Sequence, residues 1–204
     1  MVFACAGVLA AAYGVWFCHQ PESTLRSAIK TASVLLLALV ALRQDGPPAL
    51  ILALSLSALG DFFLSRHGRR VFLAGLISFA CAHLAYVVLF FGLGHRAPSI
   101  GAVIALFLFA AATEWWLAPF TDQLRWPVRI YVVLITAMGL ASFTLPPGLD
   151  WVRMGALAFM ASDTLLAIQL FRMPPQSQWH LIVSPLLWSL YWCAQAMIAW
   201  AVLG

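Results

Sequence analysis

Asp61, His83 and Asp163 are ionisable residues set inside long apolar runs. A charged side chain in hydrocarbon costs at least about 2.5 kcal/mol on insertion, so each demands a partner or a use. Two carboxylates in different surroundings can divide general acid and general base work, because desolvation favours the protonated form of one and hydrogen bonds favour the ionised form of the other. The same pair could instead carry protons or hold substrate in a transporter. Nearby polar groups could orient a carboxylate, a water or a hydroxyl: Ser57 one turn before Asp61, Tyr86 three residues after His83, Ser162 beside Asp163, and Tyr131 soon after Pro127. Ser184, Trp188, Tyr191 and Gln195 follow at offsets of four, three and four, which lays them along one helical stripe. Lys30 starts another apolar run, where it either joins this polar group or snorkels to the headgroups.

The elements that hold these residues are transmembrane helices. Of 204 residues, 64% are apolar and 9% are charged, against about 45–50% and about 25% in soluble domains. A soluble fold of this size cannot hide that much hydrocarbon. Eight apolar runs, at 2–17, 27–42, 48–64, 71–93, 98–118, 127–145, 151–171 and 179–203, approach the about 20 residues that a spanning helix needs. Short breaks rich in Gly, Pro and charge separate them. The prediction is an all-α, polytopic transmembrane helix bundle of about eight spans, a single integral membrane domain over residues 1–204. The first run lacks the basic segment of a signal peptide and reads as a first span. Trp115, Trp116, Trp126, Trp151 and Trp179 fall at span ends, the level an amphipathic indole prefers.

Charge placement sets orientation. Arg26, Lys30, Arg66, Arg69, Arg70, Arg125, Arg129 and Arg172 fall on one side, and Arg43, Arg96 and Arg153 on the other. Eight against three assigns the first set to the cytoplasm and both termini to the opposite face; in a bacterium the membrane would be the inner one. The net charge of +4 is spread singly over short loops, so no basic face for nucleic acid is formed. On this topology Asp61 lies one turn from the cytoplasmic end of its span, near water. Asp163 lies deeper, about 12 Å in at 1.5 Å per residue. Lys30, Asp61, Tyr131 and Asp163 can then converge on one pocket open to the cytoplasmic leaflet. LGDFFL at 59–64 and ASDTLL at 161–166 echo one another four spans apart, a faint sign of related halves.

Each polar residue also has a structural reading. His83 could be a neutral core histidine, and Tyr191 and Gln195 could simply bond neighbouring helices. Glu114, flanked by Trp115 and Trp116, reads as interfacial. Catalytic zinc wants three protein ligands and an open position. His19, His67 and His95 fall in loops and His180 at a span edge, which leaves His83 alone at depth. No metal and no cofactor are expected. Cys5, Cys18, Cys81 and Cys193 are far apart and read as small core residues.

Four segments in order, SALGDFFLS (57–65), FLAGLISFACAHLAYVVLF (72–90), GALAFMASDTLLA (155–167) and YWCAQAMI (191–198), resemble the YhhN-like membrane family, which includes the lysoplasmalogenases. The start of the second span, SAIKTASVLL, is also similar, with Thr31 where the family pattern has proline after the lysine. The resemblance implies hydrolysis of the vinyl ether bond of lysoplasmalogens, 1-alkenyl glycerophospho-ethanolamines and -cholines, to a fatty aldehyde and a glycerophospho-base. A lysophospholipid substrate within the bilayer is the partner it implies. The family is distantly similar to seven-span hydrolases such as alkaline ceramidases, whose metal is held by histidines that this sequence lacks. Vinyl ether hydrolysis starts with protonation at carbon and passes through an oxocarbenium ion that water captures. Asp163 is the candidate acid, and Asp61 the candidate base and cation stabiliser, although the two roles can be exchanged. His83 joins them as a catalytic candidate, and Lys30, Ser57, Tyr86, Tyr131, Ser162, Tyr191 and Gln195 are the substrate-binding candidates. A small transporter or lipid carrier is the alternative.

Overall fold

The computed structural model describes residues 1–94 and 96–204; His95 lies outside the described residues. Among the described residues, eight helices follow the eight apolar runs to within a few residues. They are α1 (Val2–Ala12), extended by a π-helical turn over Tyr13–Phe17, α2 (Thr24–Arg43), α3 (Pro48–Leu64), α4 (Arg69–Leu93), α5 (Ile100–Leu117), α6 (Arg125–Ser142), α7 (Asp150–Phe171) and α8 (His180–Leu203). Local sequence sets several starts. The Ser23 hydroxyl accepts from the Arg26 amide at 3.1 Å, which caps α2, and Ser99 does the same for α5 through Ala102 at 3.2 Å. Pro48 occupies the first turn of α3, where its missing N–H is not needed.

Among the described residues, six helices are long and apolar enough to cross a membrane, and Val2–Phe17 and Pro48–Leu64 are shorter apolar helices. Short segments of this kind are accommodated by local bilayer thinning. The chain is a multi-pass membrane protein. Large apolar side chains such as Val15, Ile77, Phe107, Val133 and Leu181 face outward, as a lipid-bathed surface requires.

Helices α2, α3, α4, α6, α7 and α8 form a closed circuit of packed neighbours, with α1 docked on α2 and α5 docked on α6. The α3–α4 and α7–α8 interfaces are the most extensive. Both depend on a glycine. A Cβ on Gly60 would lie 2.6 Å from the Phe79 ring, and one on Gly155 would lie 2.9 Å from the Ala194 carbonyl oxygen. Small residues let helices approach where lipid supplies no hydrophobic drive. A serine hydroxyl also donates across each interface, Ser78 to the Leu56 carbonyl at 2.7 Å and Ser162 to the Leu187 carbonyl at 3.1 Å.

Contacts between connections fix which ends lie together. Arg69 donates to Gln123, and Arg172 donates to the Trp116 carbonyl at 3.3 Å, which ties the α3–α4 and α7–α8 loops to the α5–α6 connection. At the other end, the Arg96 amide donates to the Thr144 carbonyl at 2.9 Å. Glu114 is held by the Arg129 guanidinium at the exposed start of α6, in keeping with its interfacial reading. One expectation fails. Cys5, Cys81 and Cys193 are exposed on the outer surface and are not core residues. An apolar run is apolar all round, so periodicity could not say which side of it faced lipid.

Candidate functional site

Every helix of the circuit sends a polar side chain inward, and the two aspartates organise them. Asp61 on α3 pairs with Lys30 on α2, Nζ to Oδ1 at 2.9 Å, and its Oδ2 accepts from the Tyr191 hydroxyl on α8 at 2.7 Å. Asp163 on α7 accepts the Tyr131 hydroxyl of α6 at Oδ2, and His83 Nε2 on α4 lies 3.1 Å from that oxygen and 3.0 Å from the tyrosine hydroxyl. The two clusters share a design. Each holds a carboxylate between one tyrosine and one nitrogen donor, and each draws its three members from three helices.

The surroundings of His83 favour one tautomer. His83 is fully buried and its Nδ1 has no partner among the described residues, while Phe159 and Tyr131 flank the ring at 4.8 and 5.1 Å between centroids. An unpaired buried lone pair is easier to tolerate than an unpaired N–H, so the geometry favours the tautomer in which Nε2 donates to the Asp163–Tyr131 pair.

Both aspartates line one cavity of about 220 Å³, together with Tyr13, Arg26, Lys30, Ser162, Gln169 and Tyr191. Asp163 also lines a second, narrow cleft of about 60 Å³ whose walls are almost wholly apolar, among them Phe72, Phe109, Ile135 and Leu170. The two spaces share Leu64, Phe79, Asp163, Leu166 and Leu170. A polar chamber and an apolar one therefore meet at a single carboxylate. That arrangement suits an amphiphile whose reacting bond lies where its polar and apolar parts join.

The profile of the YhhN family matches residues 25–202. The chain belongs to the YhhN family. It is similar to the lysoplasmalogenase of Mycobacterium bovis, 32% identical over 187 residues that cover 87% of this chain and 70% of the relative. It is also similar to Lysoplasmalogenase TMEM86A of Homo sapiens, 32% identical over 159 residues covering 74% and 63% of the two chains, and to its Bos taurus counterpart, 28% identical over 162 residues with the same coverage. No solved structure matches the chain.

In this YhhN chain the polar residues singled out from sequence fall into two groups. Lys30, Asp61, Ser162, Asp163 and Tyr191 line the cavity, Tyr131 lines the adjoining cleft, and His83 backs Asp163. Tyr86 and Gln195 bond to each other in the buried interior, and the Ser57 hydroxyl is buried without a partner among the described residues. These three do not line either space. The expected contrast in exposure is reversed. Asp61 is the more enclosed carboxylate, with its side chain 2% exposed against 10% for Asp163. Depth along a helix was the guide in the sequence, whereas burial also depends on which side of the helix faces the bundle.

Arg26, Tyr13 and Gln169 belong to the cavity wall without having been singled out for it. Arg26 carried a signal that could have marked it, since it lies one turn before Lys30 on the same helical face. Tyr13 is placed by the π turn at the end of α1, a distortion common at functional sites. Next to that turn, Trp188 Nε1 donates to the Ala10 carbonyl at 2.9 Å and its ring packs 4.4 Å from that of Tyr13. Lys30 Nζ lies 5.7 Å from the Trp188 ring centroid and 5.9 Å from that of Tyr13, so the ammonium has aromatic faces as well as Asp61.

Proposed function

We propose that the chain is a membrane-embedded hydrolase that cleaves the vinyl ether bond of lysoplasmalogens to a fatty aldehyde and a glycerophospho-base. The names of its relatives support the substrate class. The observation that carries the chemistry is the pair of aspartates on one cavity wall, one of them at the junction with an apolar cleft. The first carbons of the alkenyl chain enter the cleft and the glycerol lies in the polar cavity, which brings the vinyl ether to Asp163.

Asp163 is the acid. Its Oδ2 is occupied by Tyr131 and His83, and Oδ1 makes no hydrogen bond among the described residues, so Oδ1 is the oxygen free to deliver a proton. Asp61 faces an ammonium and acts as the ionised base and cation stabiliser. Asp163 Oδ1 gives its proton to the vinyl carbon remote from the ether oxygen, and the π electrons of the double bond form the new C–H bond. The cation left behind is shared between the other carbon and the oxygen. Water adds to that carbon and loses a proton to Asp61. The resulting hemiacetal moves its hydroxyl proton to the ether oxygen, breaks the C–O bond and leaves an aldehyde and a free glycerol hydroxyl. The proton on Asp61 returns to Asp163 through water in the shared cavity. One water is consumed and both carboxyl groups are restored.

Purified protein in maltoside micelles tests this reading. Aldehyde release from 1-alkenyl glycerophosphoethanolamine is expected without a sealed membrane, and the rate is expected to persist in the presence of chelator. Folded protein that releases no aldehyde would end the hydrolase reading in favour of a carrier, which needs two compartments. Activity lost to a chelator and restored by zinc would replace the aspartate mechanism.

The orientation belongs to the same proposal. The cavity lies toward the ends of α2, α3 and α7 on the side that carries most of the basic residues, so it faces the cytoplasmic leaflet by the positive-inside rule. A reporter fused after Gly204 should be active only on the non-cytoplasmic side. Cytoplasmic activity there would reverse the topology.

A further inference from the structure

Among the cations on the cavity wall, Arg26 is the one without a carboxylate. Lys30 is taken by Asp61, and the neighbouring Glu22 pairs with His67 at 2.9 Å. Arg26 itself forms no ion pair among the described residues. Its Nε donates to the Phe17 carbonyl at 3.0 Å, and its guanidinium carbon stands 5.7 Å from the centroid of the Tyr13 ring. One nitrogen of the fork is therefore anchored and one face of it is supported, while the two terminal nitrogens make no hydrogen bond among the described residues. The side chain is half-buried at the start of α2 and lines the cavity that holds both aspartates.

An oriented guanidinium with two open nitrogens at the membrane surface is built for an anion with two adjacent oxygens. Its depth selects which anion. Arg26 precedes Lys30 by one turn, about 6 Å along the helix, so it lies nearer the headgroups than the carboxylates do. A molecule with its ether bond at Asp163 and its glycerol in the cavity directs its phosphodiester toward this level.

We propose that Arg26 is the specificity residue that reads the phosphodiester of the lipid, with its terminal nitrogens on the two non-bridging oxygens. This rests on the lysophospholipid reading of the cavity and extends it from reaction to recognition. The anchor on Phe17 matters as much as the charge, because it holds the fork before the ligand arrives and reduces the ordering that binding requires.

The test uses ligands that cannot react, so that binding and cleavage are read separately. Full-length protein in maltoside is titrated with saturated 1-alkyl glycerophosphoethanolamine and with 1-alkylglycerol, which lacks the phosphate, and affinity is followed by intrinsic tryptophan fluorescence. The wild type should bind the phospholipid about tenfold or more tightly than the glycerol ether, the ratio expected for charge-assisted hydrogen bonds. Arg26→Gln should lose that preference while binding alkylglycerol as before, which also reports an intact fold. Arg26→Lys should recover part of it. Arg26→Gln that keeps the full preference, or a wild type with none, would overturn the assignment. A wild type that discriminates through Arg26 yet releases no aldehyde from the alkenyl lipid would leave Arg26 as the phosphate reader and remove the hydrolase reading instead.

Discussion

Asp163→Asn should lower aldehyde release from lysoplasmalogen by about 10²–10⁴-fold, the usual contribution of a positioned acid or base, while the protein still folds and inserts. The substitution keeps an oxygen that can accept from Tyr131 and His83, so the α4–α6–α7 cluster retains its geometry and loses only its proton. Asp61→Asn should have a loss of the same order. The two effects should not add, because groups that act as a unit fail as a unit, and the double variant should be little slower than either single one. Glu114→Gln is the control. Glu114 pairs with Arg129 on the exposed surface and lines neither the polar cavity nor the apolar cleft, so its loss should leave turnover nearly unchanged. Well-folded Asn variants of both aspartates with most of their activity would show that the carboxylates serve packing alone.

Much of this arrangement was legible in the sequence. Hydropathy marked the eight helices because a bilayer accepts little backbone except helix, so an apolar run of spanning length has few alternatives. The same rarity of charge at depth picked out Asp61, His83 and Asp163. The partnerships were not legible. Lys30 and Asp61 sit on different helices, as do Tyr131 and Asp163, and hydropathy gives depth along a helix but not its rotation. The same blindness explains Asp61, expected near water and found more enclosed than Asp163, and Cys81, expected in the core and found outside. Ser57 shares a helical face with Asp61, but its hydroxyl is buried without a partner among the described residues. Arg26 had been counted only as a charge that sets topology, and its place on the cavity wall emerges only when α1 is packed against α2.

Lys30→Met should be among the most destabilising single changes in the molecule, and its rescue should separate stability from catalysis. The Lys30 side chain is 14% exposed and its ammonium lies 2.9 Å from the carboxylate of Asp61, whose side chain is 2% exposed, with Tyr191 as that carboxylate's other partner. Removing one member of a buried pair leaves the other charge enclosed and uncompensated, which typically costs about 3–5 kcal/mol. Met keeps the length and apolar stem of lysine, so the loss reports the charge and not a cavity. Thermal unfolding in maltoside, followed by tryptophan fluorescence, should therefore shift strongly downward. Adding Asp61→Asn to Lys30→Met removes the stranded charge, and the double variant should regain much of the lost stability. It should remain inactive, because the ionised base has gone with the pair. The alternative reading of Lys30, a side chain that only snorkels to the headgroups, makes the opposite forecast. On that reading Lys30→Met is nearly neutral in stability and turnover, and Asp61→Asn does not rescue it. Neutral behaviour of Lys30→Met in both measurements would therefore separate Lys30 from the site and leave Tyr191 as the partner that positions Asp61.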